Sequence, residues 1–138
     1  MSDADLAKLR RDRIGFVFQA YNLIPVLSAL ENVEYVMQLQ GQSVSKRREA
    51  ATKILREVGL GDMLDRRPVE LSGGQQQRVG IGRAMAMDAE LLLFDEPTSA
   101  LDPEWVGEVL DLIRSIADGR QTMLIVTHEM QFAREIAD

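Results

Sequence analysis

Leu71-Ser72-Gly73-Gly74-Gln75-Gln76-Gln77-Arg78 is the stretch on which the reading of this chain turns. Two adjacent glycines sit just before a run that reads as a helix over 75–87, and Ser72 stands in front of them. A helix N-terminus presents unpaired backbone N–H groups and a partial positive charge, which suits an anion. Glycine lets that backbone approach the anion closely, and a serine hydroxyl adds a further hydrogen bond. Taken alone, Ser-Gly-Gly is more often a turn with its serine near a helix cap. What changes the reading lies downstream: Leu91-Leu92-Leu93-Phe94-Asp95-Glu96, then Asp102, then Thr127-His128.

The 138 residues suffice for one domain with a modest core. A hydrophobic content of 46% is ordinary for a soluble globular protein. The net charge of −6 argues against generic binding to nucleic acid or an anionic membrane, both of which want a basic surface. Without cysteine there is no disulfide framework and no thiolate metal site. No apolar run approaches the roughly 20 residues needed to cross a bilayer, and the acidic start Met1-Ser2-Asp3-Ala4-Asp5 is unlike a secretory signal. The expected location is the cytosol.

Residues 3–11 suit a short helix after Ser2, with acids early and bases late. Residues 14–18 form a short apolar run that reads as a buried strand, with Gln19 at its carboxyl end. Ligands in open α/β sheets sit at such ends. Residues 21–25 read as a loop closed by Pro25. Leu27, Leu30, Val33 and Met37 recur at helical spacing, and 41–43 end that helix. A second helix over 45–58 carries an apolar face and a basic face of Lys46, Arg47, Arg48, Lys53 and Arg56, expected to be solvated. Residues 60–67 read as a short helical piece closed by Pro68. Gly80 and Gly82 lie inside the helix that follows Ser72, where each should cost about 1 kcal/mol relative to alanine.

The continuous apolar run 91–94 marks a strand covered on both faces, and it delivers Asp95 and Glu96 to its carboxyl end. Asp102-Pro103-Glu104 is a strong helix start, with aspartate at the cap and proline at the first helical position. Val106, Val109, Leu110, Ile113 and Ile116 continue that helix to Gly119. Residues 122–126 read as another buried strand that delivers Thr127 and His128, and a last helix begins at Glu129. Trp105 is the only tryptophan and is assigned to packing.

LSGGQQQR followed by LLLFDEPTSALD resembles the ATP-binding subunits of ABC transporters, with several motifs in that family's order and spacing. The resemblance implies an α/β, partial P-loop NTPase fold. Its short parallel sheet would use strands over about 14–18, 91–94 and 122–126. A helical subdomain over 20–88 would be inserted between two pieces of a RecA-like core, 1–19 and 89–138. It gives Gln19 the role of the Q-loop glutamine, touching magnesium or the attacking water. Asp95 becomes the magnesium carboxylate. Glu96 becomes the general base, and His128 the switch histidine that steadies charge on the transferred phosphoryl group. Ser72, Gly73, Gly74 and Gln75 become the signature motif, which closes in trans over ATP held by a second subunit. Asp102 falls in the D-loop at the dimer interface. The implied substrate and cofactor are ATP and Mg2+. The implied partners are a membrane permease subunit and a second ATP-binding subunit at the cytoplasmic face, with no nucleic acid.

The chain departs from the family pattern at Gly80 and Gly82, where the family usually has alanine, in lacking the adenine-stacking aromatic and the strand and helices after the switch histidine, and above all at the P-loop. The P-loop, G-x-x-x-x-G-K-[ST], is absent: there is no Gly-Lys pair, and the lysines are Lys8, Lys46 and Lys53. In the family the P-loop precedes the Q-loop, where this chain has only 18 residues before Gln19. The resemblance therefore covers nearly all of this chain but only the middle of the family's domain. Two expectations follow. The chain alone does not hydrolyse ATP, and residues 124–126 lie at an open sheet edge that favours self-association. A second reading is a non-catalytic module that docks through residues 20–70 on a permease or intact ATPase. A third, the ABC-type ATPases of chromosome maintenance and DNA repair, is disfavoured by the short helical insert and the acidic charge. YNLIPVLSALENV looks like lipoprotein-release and macrolide-efflux subunits, whereas FDEPTSALDPE and MLIVTHEMQFAREIAD look like polar amino-acid importers, so the sequence leaves the transported substrate open.

Overall fold

The computed structural model describes residues 2–18, 21–119 and 121–137. Serine begins most of its helices. Ser2 opens α1 (Asp3–Arg13), where its Oγ accepts from the Asp5 N–H at 3.1 Å while the Asp5 carboxylate accepts from the Ser2 N–H at 3.3 Å. The same reciprocal box joins Ser28 and Glu31 at the start of α2 (Ala29–Leu39), with bonds of 3.1 and 2.9 Å. Ser43 caps α3 (Val44–Glu57), and Ser72 caps α4 (Gly73–Ala86). Each box satisfies N–H groups that a helix end otherwise leaves unpaired.

Several boundaries differ from the sequence reading, each for a physical reason. Leu27 lies outside α2, because fully buried Asn32 reaches back to shape the loop before it. Its Oδ1 accepts from the Ile24 N–H at 2.8 Å and its Nδ2 donates to the Leu27 carbonyl at 3.2 Å. Residues 60–67 form turns rather than a helix. The carbonyls of Arg66 and Leu64 are taken by the Ala29 and Leu30 N–H groups at 2.7 and 3.0 Å, so they serve the first turn of α2. Pro68 then opens a 3-10 turn (Pro68–Glu70) instead of closing a helix. The basic face of α3 is not wholly solvated either. Arg47 and Arg48 pair with Glu34 of α2 at 3.4 and 3.1 Å, and the Glu34 side chain is only 6% exposed. A carboxylate this deep is tolerated because two guanidinium groups meet it.

The core falls into two clusters with α4 as their shared wall. On one side Val33 and Met37 of α2, Ala51 and Leu55 of α3, and Val79 of α4 are buried together. On the other, Ile81 and Ala84 of α4 meet the sheet, α5 (Pro103–Asp118) and α6 (Met130–Ile136). Gly82 explains how α4 comes so close to the helical side. A Cβ there would stand 3.2 Å from Ile54 and 3.7 Å from Val33. At Gly80 the same atom would meet only ordinary contacts, 3.7 Å from the Tyr21 carbonyl, so nothing in the structure requires that glycine.

The sheet has strand order β1-β2-β3, all parallel, with β1 (Ile14–Val17), β2 (Leu91–Asp95) and β3 (Met123–Val126). Ile14 pairs with Leu91 and Val17 with Phe94; Leu92 pairs with Met123 and Asp95 with Val126. This is the short parallel sheet of an α/β fold that the sequence predicts. Its strands are not covered on both faces, however. Val17, Leu92 and Phe94 are buried under the helices, while Leu93 is half-buried and Leu124 and Val126 are exposed on the other side. The strand over 122–126 lies at the sheet edge as expected, but it is half-exposed rather than buried. Among the described residues, no helix is long and apolar enough to cross a membrane.

Candidate functional site

All three strands point their carboxyl ends to one edge, and most of the chemistry-bearing residues lie there. Asp95, the last residue of β2, is exposed. Glu96 follows with φ +45°, in the left-handed region where a side chain is strained. Its backbone is held on both sides: its N–H donates to the Val126 carbonyl at 2.7 Å, and its carbonyl accepts from the Ser99 N–H and Oγ, each at 3.1 Å. The turn brings Glu96 Oε1 against His128 Nε2 beyond the end of β3. The His128 ring is 85% exposed and Glu96 23%, so the pair sits at the mouth of the site and faces solvent. After His128 the Thr127 Oγ1 accepts from the Glu129 N–H at 2.9 Å and turns the chain into α6. Gln19, expected at the end of β1, lies outside the described residues.

The second group gathers at the N-terminus of α4. Ser72 Oγ accepts from the Gln75 N–H at 3.1 Å, and Gln75 Oε1 accepts from the Ser72 N–H at 2.9 Å. Both side chains expected to meet a ligand are therefore engaged in the cap. Gly73 and Gly74 are the first residues of the helix, not a turn before it. Each is small for a reason that the sequence does not display. A Cβ on Gly73 would stand 2.6 Å from the Tyr21 hydroxyl oxygen, and one on Gly74 would stand 2.9 Å from the Cβ of Trp105. Tyr21 in turn donates its hydroxyl to the Ala100 carbonyl at 3.2 Å. Burial, reinforced by the Asp102 charge, raises the Tyr21 pKa above its ordinary value. Asp102 is exposed at the cap position of α5 but makes no side-chain cap bond. Tyr21 thus joins the start of α4 to the 96–102 turn.

Gln77 and Tyr21 are the residues to which the sequence alone gives no role, whereas Trp105 packs as expected, against Gly74. A signal existed for Gln77: it shares the buried face of α4 with Gly74, Ile81 and Ala84, a polar residue in an apolar row at helical spacing. Among the described residues no group of acids and histidine stands close enough to hold a metal ion alone. One strand-end carboxylate, Asp95, does suit magnesium that arrives with phosphate oxygens and water as its other ligands.

The family described as ABC transporter matches residues 1–99. The chain belongs to the ABC transporter family of ATP-binding domains. It is similar to the L-cystine import ATP-binding protein TcyC of Bacillus subtilis (strain 168), 55% identical across 100% of this chain and 56% of that protein. It is similar also to the histidine/lysine/arginine/ornithine transport ATP-binding protein HisP of Escherichia coli (strain K12), 50% identical across 99% of this chain and 54% of the relative. The chain thus spans about half the length of the curated relatives it matches. Among solved structures, the dimeric ATP-binding cassette MJ0796 in a post-hydrolysis state bound to ADP and Pi has a TM-score of 0.83 and 41% identity. That match covers 97% of this chain and 60% of the cassette. The α/β architecture of this ABC chain is therefore that of the family's cassettes.

Proposed function

We propose that this ABC chain forms the signature and catalytic-carboxylate part of an ATP-binding subunit that drives import of polar amino acids. The observation that carries the reading is the meeting of Glu96 and His128 at the carboxyl ends of adjacent parallel strands. Phosphoryl transfer is mostly positioning and charge stabilisation. On this reading Glu96 acts as general base toward the attacking water, and its backbone anchors aim it. His128 donates toward the transferred phosphoryl group. Asp95 and Gln19 would hold the magnesium that enters with ATP and neutralises phosphate charge. Ser72, Gly73, Gly74 and Gln75 close on nucleotide held by a second subunit, and Asp102 lies at that interface. The helical cluster of α2, α3 and α4 is taken as the subdomain over 20–88 that meets a membrane permease at the cytoplasmic face. The relatives, cystine and basic amino-acid transport proteins, suggest the substrate class.

The 138 residues contain no Gly-Lys pair to cradle ATP, so the chain by itself is expected to be inactive and to contribute to a composite site. A purely non-catalytic docking module rests on that same observation. Isothermal titration calorimetry with MgATP decides between these readings. We expect no heat of binding for the chain alone, and binding with turnover when an intact homologous subunit is added. Ser72→Arg, which blocks the signature turn that closes on the partner's nucleotide, should remove the turnover that the chain adds. Turnover unchanged by Ser72→Arg would favour the docking module. Binding by the chain alone at around micromolar Kd, roughly −8 kcal/mol, weakened by Asp95→Asn, would overturn the account of the missing cradle.

A further inference from the structure

Gln77 is a fully buried polar side chain that the proposed function leaves unused. Its Nε2 donates to two carbonyls at once, Phe18 at 3.2 Å and Pro97 at 2.5 Å. A side-chain amide nitrogen carries two hydrogens, so both are committed. Phe18 follows β1, and Pro97 follows Glu96 at the end of β2. One group on α4 therefore grips the carboxyl ends of two strands.

The Pro97 bond matters because of its neighbour. Glu96 holds a left-handed backbone, a conformation that persists only when its surroundings over-determine it. Val126 and Ser99 fix the Glu96 N–H and carbonyl. Proline has no N–H, so its carbonyl is the one backbone group by which Pro97 can be held. Gln77 takes that carbonyl in a site without solvent access, where a lost partner is not replaced by water. Farther along the same helix, Arg83 donates to the Asn22 carbonyl at 2.8 Å, so α4 also grips the chain that leaves the β1 end.

We propose that Gln77 is a positioning residue for Glu96: its amide holds the strained 96–97 turn, keeps the Glu96 carboxylate against His128, and ties both to the helix that starts at Ser72. Only the catalytic meaning of that positioning rests on the proposed function. The geometry itself is testable without nucleotide.

His128 is the sole histidine, so its ring signals in an NMR spectrum of the whole chain need no assignment. Glu96→Gln should displace those signals by altering the contact with Glu96. Gln77→Met keeps the bulk and removes the donor, and it should displace them in the same direction by a comparable amount. Val79→Ala is the control for packing. Val79 is equally buried on α4 but offers no polar side-chain atom, so its loss should leave the His128 signals in place. The proposal is overturned by a folded Gln77→Met chain with unmoved His128 signals, or by Val79→Ala moving them as far. It is also overturned if Glu96→Gln leaves them unmoved. Should Gln77→Met fail to fold, the unsubstituted chain gives the answer. The Gln77 side-chain amide protons should exchange with D2O at least about tenfold more slowly than those of exposed Gln38 and Gln42, as befits protected groups. Equal exchange would refute the clamp. These readings stand or fall separately from the calorimetry.

Discussion

On one face of the sheet Val17, Leu92 and Phe94 are 2%, 2% and 0% exposed, pressed against α4, α5 and α6. On the other face Leu124 and Val126 are 53% and 50% exposed, beside half-buried Phe16 and Leu93. Both faces are made of the same aliphatic and aromatic residues. Composition therefore tells that a strand is suited to burial, while the number of faces buried depends on which helices these residues can supply. The covered face gains the hydrophobic free energy of its side chains, and the open face keeps most of its apolar area in water.

The largest effect should come from the covered face. Phe94→Ala should lower unfolding stability by about 3–5 kcal/mol in urea denaturation, the usual range for a buried phenylalanine. Leu93→Ala, one residue away on the open face, should cost clearly less, and equal losses would break the distinction between the faces. Next come the glycines that allow close packing. Gly74→Ala should cost about 1–3 kcal/mol by forcing Trp105 aside. Gly107→Ala should stabilise by up to about 1 kcal/mol, since nothing lies within 4 Å of that position in α5. On the open face, Leu124→Lys with Val126→Lys should change stability by only about 0.5 kcal/mol. The unsubstituted chain should show species larger than a monomer by light scattering at roughly ten micromolar, and the double substitution should shift it toward monomer.

The smallest effect belongs to a surface cap. Hydrogen bonds from the Ser28 backbone and then its side chain lower the Glu31 pKa. A lowered folded-state value means stability that is present above the ordinary carboxyl pKa and lost as pH falls through the folded one. The stability difference between Glu31→Gln and the unsubstituted chain should therefore be largest at neutral pH. It should shrink as pH drops below the ordinary 4.5, which parallel denaturation series would follow.

What the sequence made legible was local. Ser2 before the first helix, Asp102 with Pro103, and the runs ending in Asp95 and Val126 each carry their signal within a few residues, and the element types followed. What stayed hidden was set by distant partners. The helical spacing of Leu60, Met63 and Leu64 lost to α2, which needed the carbonyls of Leu64 and Arg66. Gly74 is small because of Trp105, 31 positions away by number. Gln77 looks like its neighbours Gln75 and Gln76 in a row of three, yet its carbonyl partners lie 59 and 20 residues off.

The seat of Trp105 on Gly74 has a practical consequence. This indole is the protein's only one, and it rests against the first turn of α4. Its fluorescence emission therefore reports on one place, the turn from 72 to 75. Any event that shifts that turn, whether a ligand, a second subunit or a changed capping box, alters the emission without an added dye.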